Sequence, residues 1–252
     1  MTVVLALRSS EGLVLATDSQ GTAQMPGGIP VRMDTPKIDT VGDSILFAGT
    51  GAQGLGQRVK QALENNLTKL NKKLPRAKLG QEIHRLVNPI QKAAHDAFVP
   101  IPNAHEEVWG GIFCGIASDG LYLMEIDLNG GWQFHDHPPF AATGSGHAFA
   151  HLAISSVMHH DVENQSLLTA ELLAYRAIEN VCLASAFGVG LPVQMAVITS
   201  EGIAVRSGDE LRERREIVNL WKTREVETLG SLAPSVEAPG ESAGGEGLEP
   251  PE

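Results

Sequence analysis

The chain reads as an α+β protein, a four-layer α-β-β-α sandwich with two antiparallel sheets face to face. Three observations predict it. Strand and helix signals come in segregated blocks (strands, two helices, strands, two helices, strands, helix) rather than in the strict alternation of a doubly wound parallel sheet. Hairpin signals such as Asp119-Gly120 and Asn129-Gly130-Gly131 separate successive strand runs and make them antiparallel neighbours. The 252 residues are 42% hydrophobic, enough to build one large core.

Thr2 to Leu7 is an apolar run that predicts a first strand. The turn Arg8-Ser9-Ser10-Glu11-Gly12 joins it to a second, Leu13 to Thr17. A Gly/Pro-rich loop, roughly 21–36, leads to a strand over Lys37 to Val41 and another over Ser44 to Ala48. Leu55, Val59, Leu63 and Leu67 form one stripe and predict a helix over about 54–73. A second helix runs over about 78–98, with Pro89 expected to kink or interrupt it. Strands follow at Trp109 to Ser118, Leu121 to Leu128 and Trp132 to Asp136, then helices over 147–160 and 167–185. Val193 to Thr199 and Ile203 to Arg206 pair through Ser200-Glu201-Gly202, and 210–228 has a helical pattern.

The net charge of −11 argues against a nucleic-acid partner, which needs a basic face. Five of the acidic residues fall in the segment from Ser231 onward, which has no Lys or Arg and is rich in Pro and Gly. That composition predicts a disordered tail over 231–252, behind a domain over 1–230. Two cysteines, Cys114 and Cys182, are too few for a disulfide framework and suit a reducing cytosol. No signal segment and no run of about 18 apolar residues is present, so the expectation is a cytoplasmic protein without a membrane partner.

Chemistry begins at Thr2. Aminopeptidases remove Met1 readily before a small residue, and the mature chain would then open on a threonine with a hydroxyl and a free α-amine. That amine, with an ordinary pKa of about 7.7–8.0, is able to take the proton of its own hydroxyl. A threonine at position 2 is common and by itself carries no function. Other residues must support it. A lysine beside the hydroxyl would stabilise the alkoxide, an aspartate would hold that lysine, and a glycine would let substrate approach a backbone N–H.

The order of N-terminal Thr2, strand, Gly12, strand, Ala16-Thr17-Asp18-Ser19, a loop, Pro36-Lys37-Ile38 and Phe47-Ala48-Gly49-Thr50-Gly51 resembles the proteasome β-type subunits and the bacterial HslV protease. The resemblance continues through Leu123 to Gly131, Ala142-Thr143-Gly144-Ser145-Gly146 and Ala196-Val197-Ile198-Thr199, covering roughly 2–206. It implies the N-terminal-nucleophile hydrolase sandwich and a threonine endopeptidase. Thr2 matches the nucleophile, Asp18 and Lys37 its acidic and basic neighbours, Gly49 the oxyanion donor, and Ser145 the serine beside the terminal amine. It further implies peptide binding along Gly21-Thr22 and Gly49-Thr50-Gly51, with Phe47 at the base of the first specificity pocket. Partners implied are further copies of the chain in stacked homo-oligomeric rings, a peptide or unfolded-protein substrate, and an ATP-dependent unfoldase.

Two departures stand out. The family's Asp near a Gly-Gly is missing from Leu183 to Gly190, where Cys182 and Ser185 instead fit the HslV-type spacing of a backbone cation site. Beyond such a structural cation no cofactor is expected. Gln20 stands where proteasome subunits carry an arginine. A non-proteolytic ring subunit and an N-terminal-nucleophile amidase on a small substrate are the competing readings. His135-Asp136-His137 runs into Pro138-Pro139 with no third metal ligand evident, His159-His160-Asp161 reads as a helix end where His suits the dipole, and Gly144-Ser145-Gly146 lacks the frames of a phosphate loop or a nucleophile elbow.

Overall fold

A computed structural model describes residues 2–25, 29–98, 108–184 and 188–232. The chain divides into two units, Met1–Val218 and Asn219–Glu252. The first begins with β1 (Val4–Arg8), β2 (Gly12–Asp18), β3 (Gln20–Met25), β4 (Ile29–Asp34), β5 (Ile38–Val41) and β6 (Ile45–Gly51). Helices α1 (Gln53–Glu64) and α2 (Arg76–Phe98) follow, then β7 (Trp109–Ala117), β8 (Gly120–Ile126), β9 (Trp132–Phe134) and β10 (Phe140–Thr143). Next come α3 (His147–Ser155), α4 (Leu167–Ala184), β11 (Val193–Thr199) and β12 (Gly202–Val205), and α5 (Gly208–Leu232) crosses into the second unit.

Two five-stranded antiparallel sheets result, in the orders β10-β1-β2-β11-β12 and β5-β6-β7-β8-β9. Period-two alternation divides each strand between two cores. On β6, Leu46 and Ala48 meet Val4, Ala6, Leu13 and Leu15 of the first sheet, along with Ile112 and Cys114 of β7. The intervening Ile45 and Phe47 turn the other way and pack with Val59 and Leu63 of α1 and Ile83 and Val87 of α2. On the first sheet, α4 lies against β1, β2 and β11.

The structure changes several expected elements. The loop read over 21–36 is the hairpin β3–β4, a separate two-stranded sheet with Thr22 paired to Arg32. Its Pro and Gly content hid the alternation in Ile29-Pro30-Val31-Arg32-Met33-Asp34; a two-stranded ribbon tolerates Pro30 because both strands are edges. β10 had no reading of its own. Only its pairing with β1 makes those four residues a strand. α1 ends at Glu64 rather than near Lys73, because the Asn66 side chain donates to the Ala62 carbonyl and competes with the helical ladder (2.9 Å). α2 runs through Pro89 without interruption; that position is exposed, where water reaches the carbonyl freed by the missing N–H. α3 stops at Ser155, and short 3-10 turns at Met158–His160 and Val162–Asn164 replace its expected last turn.

In the second unit, Asn219–Glu252, α5 continues through Ser231 and Leu232, past the expected start of the tail. Leu220, Val226, Leu229 and Leu232 are exposed there. The remainder of the tail lies outside the described residues. Among the described residues, no helix is long and apolar enough to cross a membrane.

Candidate functional site

The register of β1 between β2 and β10 sets the position of Thr2. Val4 pairs with Thr17 on one side and Thr143 on the other, so the residues just upstream lie between Asp18 and the turn at Gly144-Ser145. The Thr2 carbonyl accepts from Gly146 N (3.2 Å) and from Ser145 Oγ (3.3 Å), and Thr2 N donates to Ser145 Oγ (3.2 Å). Gly144 makes this close approach possible. Its φ of 94° is left-handed, and a side chain there would run into the Thr2 carbonyl.

Asp18 ends β2 with no exposed surface. Its Oδ1 accepts from Val3 N (3.1 Å) and Lys37 Nζ (2.7 Å), and its Oδ2 from Gln20 N and Gly190 N (both 3.1 Å). Four donors on two oxygens hold the carboxylate in one orientation. Burying a carboxylate is costly unless donors replace the water it loses, and these four do so.

Lys37 sits just before β5, and Gln194 of β11 fixes its backbone. The Gln194 Oε1 accepts from Lys37 N (2.9 Å), while its Nε2 donates to the Thr35 carbonyl (2.7 Å). The Lys37 ammonium donates to both Asp18 Oδ1 (2.7 Å) and Thr2 Oγ1 (3.0 Å). Burial pulls its pKa below 10.5, against the opposing pull of the Asp18 carboxylate. The result is a cation 3.0 Å from a hydroxyl, poised to stabilise an alkoxide there.

Hydrogen bonds thus bring Thr2, Asp18, Lys37 and Ser145 together. Gly49 stands on the second sheet, opposite Gly111 across β6–β7. Gly51 has a φ of 101°, a left-handed conformation that only glycine adopts at little cost. Thr22 is exposed on β3. Phe47 is only 2% exposed: it stacks on Phe113 (5.4 Å between centroids) and meets Trp109 edge-on (6.3 Å). Its ring is enclosed by these aromatic neighbours.

Cys182 lies near both Asp18 and Lys37. Burial, and then the Asp18 charge, push its thiol up to about 12. Ser185 lies outside the described residues. Among the described residues no group of three His, Cys, Asp or Glu is placed to hold a metal. His135 is instead engaged with Glu125 (2.9 Å).

The supports that sequence reasoning missed are mostly backbone: the N–H groups of Val3, Gln20 and Gly190, and the amide of Gln194 that straps Lys37 to Thr35. Main-chain donors carry no residue-type signal, so only the pairing of strands reveals them.

A family model described as proteasome subunit matches residues 2–191, which include all the residues just described except Gln194. The chain belongs to the proteasome subunit family. Among solved structures this proteasome-family chain is similar to Anbu, described as an ancestral beta-subunit, from Yersinia bercovieri (16% identity, TM-score 0.71, covering 92% of this chain and 98% of that one). It is also similar to a Gly-1 mutant of Anbu from Hyphomicrobium sp. strain MC1 (17%, TM-score 0.70, 92% and 98%) and to the helical assembly of the Anbu complex from Pseudomonas aeruginosa (16%, TM-score 0.70, 94% and 100%). At such identities these structures show the shared fold. No curated protein matches the chain.

Proposed function

We propose that this proteasome-family subunit is a threonine endopeptidase that uses Thr2 after removal of Met1. The observation carrying the reading is the Lys37 ammonium shared between Thr2 Oγ1 and the buried Asp18 carboxylate. In the proposed step the freed α-amine of Thr2 takes the hydroxyl proton as Oγ1 attacks the peptide carbonyl. Lys37 stabilises the developing alkoxide, and the Gly49 N–H meets the tetrahedral oxyanion. The amine then passes its proton to the leaving amino group as the C–N bond breaks, leaving an ester on Thr2. Water, deprotonated by the same amine, hydrolyses that ester and regenerates the hydroxyl.

Ser145, bonded to both N and O of Thr2, would keep the amine oriented once Met1 is gone. We read the packing of α3 and α4, the first sheet, the second sheet, and α1 with α2 as the four-layer sandwich of N-terminal-nucleophile hydrolases. By analogy with the helical assembly of the Pseudomonas relative, the chain works as a homo-oligomer; stacked rings, enclosed peptide or unfolded substrate and an ATP-dependent unfoldase belong to the resemblance to proteasome β-type subunits and are proposed on that ground. A backbone cation site after Cys182 belongs to the same reading.

Intact mass and covalent labelling test the proposal. The purified chain is expected to lack Met1 and to gain the mass of a peptide epoxyketone. Thr2→Ala is expected to abolish labelling, and Lys37→Ala to lower it by at least about 100-fold while the assembly persists. Retained Met1, or labelling that survives Thr2→Ala, sinks the proposal in favour of a non-proteolytic ring subunit. Labelling by small amides with no peptide turnover points instead to an amidase.

A further inference from the structure

We infer that Trp109 sets the substrate class of this site by restricting the residue on the acyl side of the cleaved bond to Gly, Ala or Ser; the inference rests on the peptidase reading. The indole occupies space that glycines leave open on three elements. A Cβ at Gly49 on β6 would lie 2.5 Å from its Cε2, and one at Gly111, the direct cross-strand partner of Gly49, 2.7 Å from its Cη2. On α1, a Cβ at Gly56 would stand 3.2 Å from Nε1. Trp109 is 2% exposed and wedged edge-on against Phe47 and Phe113. The ring starts from β7 and reaches beneath β6.

The opposite edge of β6 is where a peptide strand would add. Among the described residues, β5 pairs with β6 from Val41↔Ile45 to Ile38↔Ala48, and the ladder partners of Gly49, Thr50 and Gly51 lie on β7. Their other backbone edge continues past the end of β5, beside Lys37. An extended peptide pairing there would place one residue opposite Gly49. Directly opposed residues in an antiparallel pair project to the same face, with Cβ atoms about 4.5–5.5 Å apart. For Gly49 that is the face beneath which the indole lies. A hydrogen, methyl or hydroxymethyl group fits beside the ring edge, whereas a leucyl or phenylalanyl side chain needs the volume the indole fills. The apolar space under this edge is therefore closed by a residue of the chain itself.

Removing the indole would open a cavity bounded by Phe47 and Phe113. The test uses the full chain after Met1 removal and three peptide boronates differing only in the acyl-side residue: Gly, Ala or Leu. In the wild type the glycyl and alanyl probes are expected to label Thr2, with the leucyl probe about 100-fold weaker, in the range one or two methylenes command in a closed pocket. Trp109→Ala, and Trp109→Leu should the first fail to fold, are expected to raise leucyl labelling to at least the alanyl level. Equal alanyl and leucyl labelling of the wild type, or an unchanged order in a folded Trp109 variant, overturns the inference and leaves the peptidase reading standing. No labelling by the glycyl probe, which has no side chain to exclude, overturns both.

Discussion

Asp18 is the residue on which the site's geometry turns. Its two oxygens accept from Val3 N, Gln20 N, Gly190 N and Lys37 Nζ, and nothing but a carboxylate presents two acceptors to that set. Asp18→Asn turns an NH2 group toward donors whichever way it faces. We expect it to destabilise the fold by about 3–5 kcal/mol, a drop in Tm of roughly 10 °C. Lys37→Met is expected to cost less, because the three backbone donors continue to hold the carboxylate. Both should lose epoxyketone labelling. Thermal melts check the order: equal losses, or a greater loss for Lys37→Met, would mean the ion pair rather than the backbone cradle fixes Asp18.

At the scale of elements, α4 and α5 are joined through one buried charge. Glu171 on α4 is 1% exposed and receives Arg206, just after β12, and Arg214 on α5, the latter at 2.8 Å through Nε. Both guanidiniums lie within the first unit. Removing the acid leaves two arginines without their shared acceptor, so Glu171→Leu is expected to destabilise by about 3–5 kcal/mol in urea melts. The triple change Glu171→Leu, Arg206→Met, Arg214→Met should recover most of that loss. Failure to recover would show that packing around α4, not the stranded charges, carries the effect. None of this could be read from sequence, where Glu171, Arg206 and Arg214 look like ordinary solvated charges on helix and loop.

For the whole molecule, the sheet-to-sheet core responds to alkaline pH. Cys114 has no exposed surface, and burial pushes its thiol from 9.0 up to about 12. A raised pKa means the unfolded chain releases the proton first. The contribution is intact below pH 9 and is lost as pH climbs from 9 toward 12, at about 1.4 kcal/mol per pH unit. Between pH 9.5 and 11, wild-type stability is expected to fall more steeply than that of Cys114→Ala by about that slope. Parallel curves in denaturant titrations would show that the thiol remains hydrated.

The sequence by itself determined which surfaces are apolar and where chains must turn. Hydrophobic period and hairpin signals therefore marked both sheets and most helices, and Thr2, Asp18, Lys37 and Ser145 were legible as a set through the resemblance to proteasome β-type subunits, with their side-chain chemistry in support. It could not show β10, the β3–β4 hairpin, the Gln194 strap or the N–H cradle of Asp18. Those depend on pairing between segments up to 172 positions apart, and a main-chain donor looks the same in every residue. Tertiary structure also decided what Phe47 does. Strand alternation said only that it is buried; the facing glycines 49 and 111 allowed Trp109 to lie against it and take the open space. Local physics fixed the parts, and close packing, which lets one volume hold one side chain, fixed what stands beside Phe47.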